Sequence, residues 1–145
     1  MGTLLAFDFG EKRTGVATGE TALGQALPLT VITTNSASER VRQIEKLIHE
    51  WRPEALIVGI PTHADGTEHD MTARARAFAQ TLAERFNLPV HEADERLTSR
   101  DAEARLHEAG LSAKSMKPVA DAVAAQLILQ TWLTHHAHEL SSSLA

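Results

Sequence analysis

Residues 3–19 read TLLAFDFGEKRTGVATG, and the way this stretch folds decides the reading of the rest of the chain. TLLAFDF is a short apolar run broken by one carboxylate, Asp8. GEKRTG (10–15) has the glycines and charge of a tight turn, and GVATG (15–19) follows it. A strand, a turn and a second strand are therefore expected, paired as a hairpin. A third strand is expected at 28–34, PLTVITT, which is rich in β-branched residues. Three consecutive strands with short connections make an antiparallel meander.

Beyond this meander the apolar period changes. Ser36 and Glu39 have capping-box spacing, and Val41, Ile44, Leu47, Ile48 and Trp51 follow at helical intervals up to Pro53. ALIVGIP (55–61) is continuously apolar, as in a strand covered on both faces. The loop THADGTEHD (62–70) leads into a second helix in which Ala75, Phe78, Ala79, Leu82 and Phe86 share a face. LPVHEADE (88–95) reads as a further strand. Thr98 and Asp101 form a second capping arrangement, opening a helix that stops at Gly110. LSAKSMK (111–117) reads as a loop, with Pro118 as the first residue of a last helix running to about Leu133. The order βββαβαβαα implies an α/β fold: a mixed five-stranded sheet, antiparallel meander plus parallel strands, with helices on both faces. One domain is expected over 1–134, with 135–145 as a frayed tail. Trp51 and Trp132 fall on apolar helix faces and are expected in the core, while His63, His69, His135, His136 and His138 read as solvated.

Composition narrows the function classes. The 145 residues are 43% hydrophobic and 23% charged, the balance of an ordinary globular protein. No apolar run approaches the length of a membrane span. The opening MGTLLAFDFG has no basic stretch before its apolar run, so it reads as a strand rather than a signal peptide. The absence of cysteine excludes disulfides, thiolate metal sites and cysteine nucleophiles, and agrees with a cytoplasmic protein. A net charge of −5 opposes phosphate binding unless positive charge is concentrated locally or supplied by a divalent cation.

Three places in the chain put carboxylates where burial makes them costly. Asp8 interrupts an apolar strand; Asp121 opens the otherwise apolar helix VADAVAAQLILQTWL (119–133); Asp94 and Glu95 end the strand 88–95. Ionised carboxylates in a low-dielectric setting need a partner or a metal, and several together repel unless a cation intervenes. Oxygen-only ligands favour Mg²⁺ or Mn²⁺, and two such ions about 3.5–4 Å apart suit phosphodiester hydrolysis. Between Asp94 and Glu95 the residues alone leave the ligand open. Lys12, Arg13, Arg96, Lys114 and Lys117 are candidate phosphate contacts forming a basic rim around the acids.

DFGEKRTGVA (8–17), VGIPTHADGTEHD (58–70), DERLTS (94–99) and DAVAAQLIL (121–129) together resemble the YqgF family of RNase H-like proteins. That family is described both as candidate Holliday junction resolvases and as candidate nucleases for the 5′ end of pre-16S rRNA. The resemblance implies an RNase H-like fold, a catalytic metal site of Asp8, Glu95 and Asp121 with Mg²⁺ or Mn²⁺, and a nucleic-acid partner: precursor rRNA, or branched DNA. Within the DER block it favours Glu95 over Asp94. It implies a monomer or weak homodimer. Ala124 stands where better-characterised relatives in the wider superfamily often carry a fourth carboxylate, three residues past the last Asp. This motivates an alternative, a nucleic-acid-binding factor with weak or no catalysis. DFGEKRTG also resembles the phosphate loop of actin-like ATPases, but those close two such domains over ATP and this chain has room for one.

Overall fold

Thr3–Asp8 (β1), Arg13–Glu20 (β2) and Gln25–Thr33 (β3) form the meander, followed by helix α1 (Ala37–Trp51), strand β4 (Ala55–Ile60), helix α2 (Asp70–Phe86), strand β5 (Val90–Asp94) and helix α3 (Ala113–Leu144). This computed structural model describes residues 2–61, 70–94 and 113–144. The expected loop 62–70, apart from Asp70, and the expected helix from Thr98 to Gly110 lie outside the described residues. The strands make one five-stranded sheet in the order β3-β2-β1-β4-β5. β1–β2 and β2–β3 pair antiparallel, β1–β4 and β4–β5 parallel. This is the mixed sheet expected from the sequence.

Side chains alternate across β1. Leu5 and Phe7 join a cluster with Ile44 of α1 and Ala75, Phe78, Ala79 and Leu82 of α2. Leu4 and Ala6 join a second cluster with Ala125, Ile128, Leu129, Trp132 and Leu133 of α3. Helices therefore cover both faces. The α3 side is lined by small residues of the sheet, Ala6, Ala17, Ala26 and Ala55, and the glycines of β2 extend the same pattern. A Cβ on Gly15 would overlap the Asp121 carbonyl oxygen, and one on Gly19 would lie 3.0 Å from Leu129 Cδ2. At Gly15 the helix backbone rests directly on β2 because no side chain stands between them.

Element ends follow local chemistry. Ser36 caps α1, its hydroxyl accepting from the Glu39 amide at 3.2 Å. α1 closes on Arg52, which is left-handed (φ 46°) and donates its amide to the Ile48 carbonyl at 2.8 Å. Three boundaries differ from expectation. β2 starts at Arg13, so the turn is shorter than GEKRTG. β3 starts at Gln25, three residues before Pro28; proline is tolerated because β3 is an edge strand with a register irregularity opposite Val16 and Ala17. Gln126 and Gln130 of α3 tie this edge down through bonds to the Ala26 and Gly24 carbonyls, at 3.0 and 2.9 Å.

α3 is the largest correction. It begins at Ala113 rather than Pro118 and continues to Leu144, through the segment expected to fray. Pro118 is thus the sixth residue of the helix, where it gives up one backbone donor. Trp132 is buried as expected, but Trp51 is 38% exposed because it ends α1 beyond the edge of the core. His136 is not a solvated tail residue: its ring stacks on Trp132 with centroids 4.3 Å apart, and His91 of β5 lies 5.1 Å from the same indole. Among the described residues no helix is long and apolar enough to cross a membrane.

Candidate active site

Asp8 is the last residue of β1 and shares the period of Leu4 and Ala6, on the α3 face. Its partners in register are Gly15 on β2 and Gly59 on β4. Neither neighbour has a side chain, which leaves room beside the carboxylate over Gly59 and admits the backbone of α3 over Gly15. Over Gly15 runs the backbone of α3 at Asp121 and Ala122. That approach brings Asp121 into the electrostatic range of Asp8.

Asp121 is half-buried. Its Oδ2 is buried and lies 2.9 Å from Arg13 Nε, but off the N–H direction, so it has an ionic contact without an aligned hydrogen bond. Burial pushes the Asp121 carboxyl above the ordinary carboxylate range; the Arg13 guanidinium opposes the shift and the Asp8 charge adds to it. Two acids this close, with one oxygen short of a donor, suit a hard cation such as Mg²⁺ or Mn²⁺. Two carboxylates are not a complete ligand set, and among the described residues no third His, Cys, Asp or Glu joins them in a metal-holding group. Glu95, expected as the third ligand, lies outside the described residues, as does Arg96. The described strand stops at Asp94, with Ala93 in register with Gly59 and Gly59 in register with Asp8. Ala124, one turn past Asp121, is half-buried and offers no fourth carboxylate.

The basic residues divide. Arg13 is committed to Asp121. Lys12 is exposed and lines a cavity on the other side of the β1–β2 turn, with Phe9, Glu11, Asn35, Arg40 and Arg74. Lys114 and Lys117 sit early in α3, where only the backbone is described. Two features escaped the sequence reading. Gly15 is the spacer that admits Asp121, and its signal was a glycine placed opposite Asp8 in the hairpin. Arg40 is only 6% exposed and donates to the Glu11 carbonyl at 2.6 Å and the Thr34 carbonyl at 3.2 Å. Its signal was a position four before Ile44 on the apolar stripe of α1.

Comparison with known proteins agrees with this architecture. The model of the RuvX family, described as a Holliday junction resolvase, matches residues 2–135. A protein of Dechloromonas aromatica, described as a candidate pre-16S rRNA nuclease, is 65% identical over 138 residues, covering 94% of each chain. A protein of Thiobacillus denitrificans with the same description is 57% identical over 129 residues, covering 89% of each. Among solved structures, RuvC of Thermus thermophilus in complex with a Holliday junction substrate superposes with a TM-score of 0.58 at 20% identity, covering 96% of both chains. The fowlpox virus resolvase with Holliday junction DNA gives 0.56 at 9% identity, covering 90% of this chain and 98% of that one. At such identities these structures establish the fold, which is RNase H-like. On the family match and the two close relatives, the chain belongs to the RuvX family.

Proposed function

We propose that this chain is a metal-dependent nuclease that hydrolyses phosphodiester bonds, with Asp8, Asp121 and Glu95 as its metal ligands and the 5′ end of pre-16S rRNA as its substrate. The observation that carries the metal site is the buried, unaligned Asp121 oxygen held beside Asp8 by the Gly15 contact. Glu95 is included on the family resemblance of the DERLTS block, and it follows directly on the last described residue of β5, Asp94. Mg²⁺ or Mn²⁺ bound there supplies Lewis-acid stabilisation of charge developing on the phosphodiester. Asp8 is fixed by two strand pairings, which orients the site without help from the substrate. Arg13 holds Asp121 and balances part of its charge before substrate arrives. The RNA assignment follows the relatives' descriptions, and it carries with it a cytoplasmic place of work.

The RuvX description itself favours a second substrate, the four-way DNA junction. One panel decides: a pre-16S 5′ leader, an unrelated single-stranded RNA and a four-way DNA junction, with wild type and Asp8→Asn in Mg²⁺ or Mn²⁺. Metal-dependent cleavage of the leader that vanishes in the variant is expected. Cleavage confined to the junction transfers the assignment to resolution. Cleavage unchanged by Asp8→Asn removes the site, and no cleavage of any substrate leaves a binding factor, in line with Ala124.

A further inference from the structure

Across the β1–β2 turn from Asp8 and Asp121 lies a cavity of about 320 Å³, bounded by Phe9, Glu11, Lys12, Asn35, Arg40 and Arg74. Among the described residues that line it, three are cations and one is a carboxylate, so this lining is positive on a chain whose net charge is −5. Arg74 pairs with Glu11. Lys12 has no ion pair among the described residues. Arg40 is the unusual member. It is buried, its donations go to two backbone carbonyls, and among the described residues its Nε finds no acceptor. Its guanidinium sits 5.1 Å from the centroid of Phe9, whose ring also stacks on Phe78 at 4.8 Å.

A buried guanidinium without a carboxylate beside it is rare, since buried charges are ordinarily paired. Among the described residues, backbone carbonyls satisfy its hydrogens in part and no carboxylate pairs with its charge. The missing counter-charge is supplied most directly by an anion in the adjoining cavity. Phe9 is covered by Phe78 and Arg40, which leaves no free ring for a base to stack on, so the ligand is recognised by charge.

We propose that this cavity is a phosphate subsite for the nucleic-acid strand, gripping a phosphodiester away from the carboxylates, with Lys12 and Arg74 as its accessible cations and Arg40 as the buried positive charge behind them. The inference rests on the nuclease reading and adds a path to it: the strand crosses the β1–β2 turn, with the reacting phosphate on the α3 side and a gripped phosphate on the α1–α2 side. Entry of the phosphate displaces Glu11 from Arg74, so Glu11 acts as an internal competitor.

The test is binding rather than cleavage. Affinity of the full chain for a single-stranded 12-nucleotide RNA is measured by fluorescence anisotropy in EDTA, over a range of KCl concentrations. Lys12→Ala and Arg74→Ala are each expected to weaken binding roughly five- to tenfold and to flatten the slope of log K against log [KCl] by about 0.7, the single-strand value per phosphate contact. Glu11→Gln is expected to tighten binding severalfold, an effect that a merely structural carboxylate does not give. Titration with inorganic phosphate, followed by NMR of the arginine side chains, is expected to move Arg74 and Arg40. Unchanged affinity and slope in Lys12→Ala/Arg74→Ala, with a wild-type melting temperature, overturn the proposal. So does a phosphate response in NMR that has no counterpart in RNA binding, which marks an adventitious ion only. Because metal is absent throughout, these outcomes are independent of whether Asp8→Asn abolishes cleavage: either reading can fail while the other stands.

Discussion

At the scale of single residues, the site depends on an atom that is missing. Gly15 has no Cβ, and one placed there would collide with the carbonyl of Asp121, a backbone group that no rotamer change can move aside. Gly15→Ala therefore has to lift α3 from β2, at a cost of about 2 kcal/mol or more. Both the urea midpoint and metal-dependent cleavage are expected to fall, whereas Gly24→Ala, in an open left-handed turn (φ 61°), should lower stability alone. Asp121 offers the opposite combination. Its carboxyl is raised by burial, so its ionised form is disfavoured in the folded chain despite Arg13. The stability it contributes is present below the ordinary carboxylate value and is lost as pH rises through the raised one, so at neutral pH its charge is a net cost. Asp121→Asn is expected to raise the melting temperature of the metal-free protein while abolishing cleavage and the stabilisation by Mg²⁺. A lower melting temperature in EDTA would show that the pair with Arg13 outweighs burial.

At the scale of elements, what was legible in the sequence was what depends on near neighbours. Ser36 and Glu39 announced the start of α1, and the unbroken ALIVGI announced a strand buried on both faces; all six of its residues are buried. Boundaries set by tertiary contact were not legible. Pro118 looked like a helix start, yet the helix begins five residues earlier and runs on to Leu144. His136 looked like tail, but the continued helix stacks it on Trp132 four residues earlier, and the approach of β5 to α3 adds His91 to the same indole. That stack carries a pH prediction. Burial lowers the pKa of His91 and the charge of His136 lowers it further. The unfolded chain therefore takes up a proton first as pH falls, and the stability from neutral His91 is full above about 6.5 and is lost progressively below it. Urea midpoints at pH 7.5 and 5.5 are expected to differ more in wild type than in His91→Phe, which keeps a ring against Trp132. An equal difference in the two proteins would remove His91 from the acid sensitivity.

At the scale of the whole molecule, the sequence posed a problem of sign that the fold distributes in space. Asp8, Asp121 and the Asp94–Glu95 pair were legible as carboxylates in apolar or strand-end settings, with the family resemblance choosing Glu95, but no sequence pattern shows that Arg13 turns toward Asp121 or that Lys12 faces the opposite side with Arg40 and Arg74. The acids therefore repel a phosphate on one side of the turn while the cations attract one on the other. A chain of net charge −5 then needs a cation at the acids before both halves can hold one strand. This makes a prediction that differs in sign from simple ionic screening. At constant ionic strength, Mg²⁺ ordinarily competes with protein cations for phosphates and weakens binding. Here, Mg²⁺ is expected to tighten binding of single-stranded RNA, read at short times before cleavage. Asp8→Asn removes one repelling charge, so it should bind RNA more tightly than wild type in EDTA and lose the gain on adding Mg²⁺. The two curves, affinity against Mg²⁺ for wild type and variant, should therefore converge or cross. If Mg²⁺ weakens both proteins in parallel, the carboxylates do not hold the cation that joins strand to site, and the positive cavity alone accounts for nucleic-acid binding.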